Sequence, residues 1–116
     1  MKRILALAVL LLTAGFLFAN PPSFGTIGYD AATKYLTVQV NHDITVSPVK
    51  DPTKHFVKEA TISVNGIKVV VQSYTSQEDA KGLTIVSRLI LNKGDKVDIT
   101  ALCNLRGEAS ASYMIP

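Results

Sequence analysis

Residues 60–72 read Ala-Thr-Ile-Ser-Val-Asn-Gly-Ile-Lys-Val-Val-Val-Gln, with an Asn-Gly pair between two β-rich runs. From Ala60 to Val64 apolar residues alternate with polar ones, which is the period of a half-buried strand. Asn65-Gly66 then predicts a two-residue hairpin turn, because both central residues of such a turn adopt positive φ. The stretch therefore predicts a β-hairpin within an all-β fold.

Short β-rich runs continue on both sides of this hairpin, separated by turns that carry Gly, Asn, Asp and Pro. Alternating or continuous apolar residues mark Leu36 to Val40, Thr84 to Leu91, Val97 to Cys103 and Ala109 to Ile115, with a weaker run at Thr26 to Tyr29. About seven short strands at this spacing predict a β-sandwich or a barrel.

The N-terminus has the pattern of a secretory signal peptide. Met1-Lys2-Arg3 is positively charged, Ile4 to Ala19 is apolar and uncharged, and Asn20 begins a turn-rich stretch. We expect residues 1–19 to be removed and residues 20–116 to form a single periplasmic or secreted domain with no membrane attachment. The alternative is an uncleaved membrane anchor, although the run is shorter than the ~20 residues of a spanning helix.

Charge and cysteine content narrow the function classes. Without Lys2 and Arg3, 10 basic and 9 acidic side chains remain, and no basic cluster has interleaved aromatic residues, so we expect no nucleic-acid partner. Cys103 is the single cysteine, so no disulfide can form within one chain. It is interpreted as a buried small hydrophobe, a metal ligand or a reactive thiol.

The side chains that can carry chemistry are few: His42, His55 and Cys103. The longest irregular stretch runs from Asp43 to Lys54, and long loops on a rigid sandwich often carry function. Residues 77–82 look briefly helical but are predicted to form a loop. No catalytic residue is assigned.

Three segments resemble the iron-binding domain of superoxide reductases, the neelaredoxin and desulfoferrodoxin family. They are Lys54-His55-Phe56-Val57, the Gly-Asp turn within Leu91 to Val97, and Cys103-Asn104-Leu105-Arg106-Gly107. The family signature is a His-Pro-x-x-x-x-His loop, a hairpin, and Cys-Asn-x-His-Gly. The resemblance covers Leu36 to Gly107. It implies an immunoglobulin-like β-sandwich with one mononuclear iron held by four imidazoles and a Cys thiolate.

The family's ligands carry over only in part. His55 matches the second histidine of the loop motif, and Cys103 matches the thiolate ligand. Ser47 stands near the first histidine's place, Arg106 replaces the last histidine, and the N-terminal Glu-Lys-His motif has no counterpart. Two of the five ligands therefore remain.

Each candidate also has a structural interpretation without metal. Cys103 continues the inward alternation of its strand, so it is either a buried inert thiol or a ligand. His55 is either a ligand or a solvated residue at the start of a strand. His42 is expected to be exposed and becomes a third ligand only if the Asp43 to Lys54 loop folds back. Arg106 is a surface side chain or an anion contact.

Three functions follow. The favoured one is an exported superoxide-reductase-like module with an incomplete iron site, acting as a non-catalytic binding or redox-accessory domain. Its partners would be a small anion, a periplasmic redox protein or a second copy of the chain. The alternative is an iron-dependent superoxide reductase variant that reduces superoxide to peroxide, with His55 and Cys103 as ligands. The third is a thiol carrier using Cys103, which the inward alternation disfavours.

Overall fold

The structure of the protein, a computed structural model, describes residues 21–116. The predicted signal peptide at residues 1–19 lies outside the described residues. In the described part of the chain, no helix is long and apolar enough to cross a membrane.

Residues 21–116 form seven strands and one short 3₁₀ turn, which confirms the predicted all-β sandwich of about seven strands. The elements are β1 (Ser23–Asp30), β2 (Tyr35–Asn41), the 3₁₀ turn (Ile44–Val46), β3 (Val57–Val64), β4 (Ile67–Ser73), β5 (Gly82–Arg88), β6 (Lys96–Cys103) and β7 (Glu108–Met114).

The strands make two antiparallel sheets. One has the order β1-β2-β5 and the other the order β4-β3-β6-β7. The core lies between them and is built from the inward residues of the alternating strands. Its completely or almost completely buried members are Leu36, Val38, Val40, Val57, Ala60, Ile62, Ile85, Val97, Ile99 and Ala101.

The hairpin predicted at Asn65-Gly66 is present. Val64 pairs with Ile67, and the two turn residues have φ values of 50° and 85°. The Asn65 side chain also joins the turn to the start of β6, because its Oδ1 accepts a 3.0 Å hydrogen bond from the backbone N–H of Lys96. This end of the sandwich lies opposite the end at which β2 and β6 finish.

Strand boundaries differ from the sequence prediction in two places. The strand predicted over Thr84 to Leu91 runs instead from Gly82 to Arg88. The weak strand near Thr26 to Tyr29 is longer than predicted, spanning Ser23 to Asp30. Residues 77–81 form an irregular loop, as predicted, whereas Gly82 is the first residue of β5 and is bridged to Asp79.

Candidate metal centre

The structure brings His42, His55 and Cys103 together in one buried cluster. One ligand atom from each residue lies within 4.8 Å of the other two. The exposed fractions of the three side chains are 1%, 2% and 3%. Imidazole nitrogen and cysteine sulfur are donors that first-row transition metals accept, so the cluster has the composition of a metal site.

Strand pairing explains how residues distant in sequence meet. Val57 at the start of β3 pairs with Cys103 at the end of β6. His55, two residues before Val57, therefore lies close to the cysteine. His42 directly follows β2, in the other sheet. Because β2 and β6 finish at the same end of the sandwich, the centre lies where the two sheets meet.

Gly82 fixes the position of His42. The backbone of Gly82 approaches the end of β2 so closely that a Cβ there would lie 2.1 Å from the carbonyl oxygen of Val40. This approach lets the backbone N–H of His42 donate a 2.9 Å hydrogen bond to the carbonyl oxygen of Lys81. Glycine is therefore required where β5 passes the histidine.

Asn104 fixes the position of His55. The Asn104 side chain accepts a 2.8 Å hydrogen bond from the backbone N–H of Phe56 and donates a 3.0 Å hydrogen bond to the carbonyl oxygen of Lys54. Its backbone N–H donates to the carbonyl oxygen of Phe56. The residue after the cysteine thus holds both neighbours of the histidine, which gives the Cys-Asn pair a structural role.

The ring of His55 is oriented through Nδ1. This nitrogen lies 2.8 Å from the carbonyl oxygen of Val49 and 3.0 Å from Oγ of Ser47. A carbonyl oxygen can only accept, and the Ser47 hydroxyl itself donates to that same oxygen, so Nδ1 carries the proton. The unprotonated Nε2 is then the His55 nitrogen that can bind a metal.

Gln77 orients the ring of His42 in the same way. The amide nitrogen of Gln77 donates 2.8 Å hydrogen bonds to the carbonyl oxygens of His42 and Asp79, which fixes the orientation of the amide. Its Oε1 therefore faces His42 Nδ1 at 2.6 Å, and it also accepts from the backbone N–H of Val57. Nδ1 must donate, so Nε2 is the His42 nitrogen that can bind a metal.

The thiol of Cys103 ionises readily for a buried group. Burial raises its pKa, but a hydrogen bond from His42, backbone N–H groups of Arg106 and Leu105, and the electrostatic effect of His42 lower the pKa from 9.0 to about 6. At neutral pH the sulfur is therefore a thiolate, the form that binds metals.

His55 and Cys103, which the family resemblance matches to two ligands of one metal, lie close together in the structure. The expectation that His42 is exposed is wrong, because His42 is 1% exposed, with Gln77 and the ring of His55 packed against it. The alternative of a solvated His55 is also wrong, since that ring is 2% exposed. Metal ligation by the three residues stays a prediction.

Ser47 and Arg106 occupy different positions from those of ligands. Ser47 is buried on the Nδ1 side of His55, so it supports that ring. The side chain of Arg106 is exposed, and the backbone N–H of this residue contributes to stabilising the thiolate. An anion contact by the Arg106 guanidinium stays a prediction.

Sequence reasoning missed Gln77, which is 5% exposed and touches His42 directly. The residue lies in an irregular loop with no periodic pattern, so no local signal marks it. Gln77 can orient His42 because the fold places its loop, which connects β4 to β5, against the end of β2 and the start of β3.

No family model matches the sequence, and no curated protein matches it in a sequence comparison. Solved structures of superoxide reductase (neelaredoxin) from Ignicoccus hospitalis do match. A point variant of that protein has a TM-score of 0.51 at 13% identity, covering 89% of this chain and 86% of that chain. A structure described without a substitution has a TM-score of 0.48 at 15% identity, with coverages of 83% and 80%. The chain therefore has the superoxide reductase fold.

The donor set does not match the iron site that the family resemblance implies. That site has four imidazoles and one thiolate, whereas the entire chain contains two histidines. Both of these histidines, together with the single cysteine, lie in the cluster. One chain thus offers three donors of the implied types, and it does not fit the five-ligand iron site.

Proposed function

We propose that this protein is an exported metal-binding module with the superoxide reductase fold, in which His42, His55 and Cys103 hold one transition-metal ion. In this proposal the domain is a non-catalytic binding or redox-accessory protein. The observation that carries it is the clustering of the chain's two histidines and its one cysteine within 4.8 Å, all buried.

The surroundings of the cluster support metal binding over an inert core. Each imidazole has its Nδ1 proton held by an acceptor, which makes Nε2 the nitrogen that each ring can offer to a metal. Such outer hydrogen bonds are typical of histidines that bind metals, because they fix the ring and raise its basicity.

Superoxide reduction is the second candidate, and the shared fold is the observation that favours it. Fold alone does not carry activity, since function depends on the groups at the site. Two imidazoles in place of four leave the implied iron site two ligands short. We therefore assign no superoxide chemistry to the chain.

Export is part of the proposal and rests on the N-terminal sequence. The charged residues Lys2 and Arg3 precede an apolar run that ends at Ala19. Mass spectrometry of protein recovered from outside the cytoplasm should show a chain that starts at or near Asn20. An intact Met1 in a membrane fraction would contradict export.

Metal analysis of the purified protein tests the binding function. After exposure to Fe(II), Zn(II) or Cu(I) in turn without oxygen, followed by desalting, we expect one ion per chain for at least one metal. Retention should be lost in Cys103→Ser and His42→Ala and kept in Gln39→Ala, a control in β2 away from the cluster. Wild-type protein that retains none of the three metals would refute the proposal.

A further inference from the structure

We propose that the ion held by His42, His55 and Cys103 is copper, bound in a three-coordinate site, and not iron. This inference rests on the proposed metal site and specifies which metal occupies it.

The donor types favour a soft or borderline ion. Cys103 supplies a thiolate, which selects Cu(I), zinc and iron–sulfur clusters over harder ions. His42 and His55 supply imidazole nitrogens, which suit copper, zinc, iron and nickel. Two imidazoles and one thiolate in a trigonal arrangement are the donor set of mononuclear copper proteins, whereas three-ligand sites for mononuclear non-haem iron combine two imidazoles with a carboxylate.

The number and burial of the donors separate copper from zinc. Zinc is almost always four-coordinate, so a site with three protein ligands completes its shell with water. Here the three side chains are at most 3% exposed, and the loops that carry Ser47 and Gln77 pack around them. A site closed to solvent disfavours the fourth, aqueous ligand of zinc, whereas three donors are sufficient for Cu(I).

The geometry of the cluster fits a trigonal ion after a small contraction. With metal–nitrogen bonds near ~2.0 Å and a metal–sulfur bond near ~2.3 Å, trigonal donors are roughly 3.5–3.8 Å apart. The ligand atoms in this structure all lie within 4.8 Å of one another. A shift of about 1 Å in the side chains closes the site, since the strands already hold the three residues in place.

The two rings are also pre-oriented. The ring centroids of His42 and His55 are 4.8 Å apart and the ring planes are nearly perpendicular, at 87°. Gln77 and the carbonyl oxygen of Val49 hold the two Nδ1 atoms. Because these hydrogen bonds fix the rings before an ion arrives, less side-chain ordering is needed on binding, which increases affinity.

A competition experiment tests the metal. The full mature chain is dialysed without oxygen against equal concentrations of Cu(I), Zn(II) and Fe(II), each buffered by the same weak chelator, and the bound metals are then measured. We expect one copper per chain with negligible zinc and iron. Oxidation of the loaded protein by ferricyanide should give an intense visible absorption from thiolate-to-Cu(II) charge transfer, absent in Cys103→Ser.

Other outcomes separate this inference from the proposed metal site. Zinc or iron bound at one per chain and lost in His42→Gln and His55→Gln would overturn copper while leaving the metal site in place. Absence of all three metals would overturn both. Copper retained undiminished by Cys103→Ser and by the two histidine variants would show adventitious binding and overturn the inference. Circular dichroism checks that each variant is folded.

Discussion

Gln77 and His42 are 35 residues apart in sequence, yet Oε1 of the amide lies 2.6 Å from Nδ1 of the imidazole in a buried contact. The same oxygen accepts from the backbone N–H of Val57, at the start of β3. Gln77 therefore joins the histidine of one sheet to the strand that follows the other histidine. This relationship makes the glutamine a positioning residue for the candidate metal centre.

The first prediction concerns this glutamine. Gln77→Leu removes the acceptor for His42 Nδ1, so the ring loses its fixed orientation and metal affinity should fall about 10–100-fold. Gln77→Glu keeps an acceptor for Nδ1 and should retain more affinity than Gln77→Leu. Competition with a chelator measures both, with Gln39→Leu as the matched control. Equal affinities for Gln77→Leu and the wild type would contradict the positioning role.

The second prediction concerns Asn104, whose side chain satisfies two backbone groups on either side of His55. Asn104→Ala should lower the free energy of unfolding by ~1–3 kcal/mol, because a backbone N–H loses its partner in a partly buried position. Urea denaturation measures the change. Asn92→Ala, in the turn before β6, is the matched control and should have a smaller effect. An unchanged free energy of unfolding in Asn104→Ala would contradict the role of Asn104 in holding the backbone on both sides of His55.

The third prediction tests the hairpin. Gly66 has a φ of +85°, and no atom lies within 4 Å of where its Cβ would be, so the cost of a side chain there is conformational and not steric. Gly66→Val should destabilise the fold by ~1–3 kcal/mol, because a β-branched residue tolerates positive φ poorly. Gly66→Asn should cost less, since asparagine enters this region more readily. Thermal denaturation that does not distinguish the two variants would contradict this account.

The fourth prediction is a pH dependence of the metal-free protein. The pKa of Cys103 is about 6 in the folded chain, against an ordinary value of 9.0. Because the folded value is the lower one, the thiolate contributes stability that is fully present above pH 9 and is lost as pH falls through 6. As pH falls from 9 to below 6, the free energy of unfolding of the wild type should therefore decrease relative to that of Cys103→Ser. A difference that is constant with pH would contradict the thiolate assignment.

The fold was predictable because alternation of apolar and polar residues is a local signal. The alternation from Val97 to Cys103 placed Cys103 inward, and the structure has that side chain 3% exposed. Asn65-Gly66 likewise encodes its turn within two residues, through backbone conformations that few other pairs adopt.

The cluster of His42, His55 and Cys103 was predictable only in part, because the position of His42 depends on the paths of loops. The pairing of β3 with β6 brings His55 close to Cys103. A family resemblance can predict this proximity, because both residues match ligands of one site in the family. His42 joins them through contacts with Gln77 and the ring of His55, which both lie in loops, and the path of a loop is not encoded in strand periodicity. The prediction that Ser47 lies near a ligand position agrees better with the structure, since Ser47 Oγ lies 3.0 Å from Nδ1 of His55.

X-ray absorption spectroscopy of the metal-loaded protein tests the central claim most directly, because it reports the atoms bound to the ion. The account predicts one sulfur and two imidazole nitrogens around a single metal, with the sulfur contribution lost in Cys103→Ser and one imidazole lost in His42→Gln. A first coordination shell without sulfur, or one unchanged by these two substitutions, would contradict the assignment of His42, His55 and Cys103 as the metal centre.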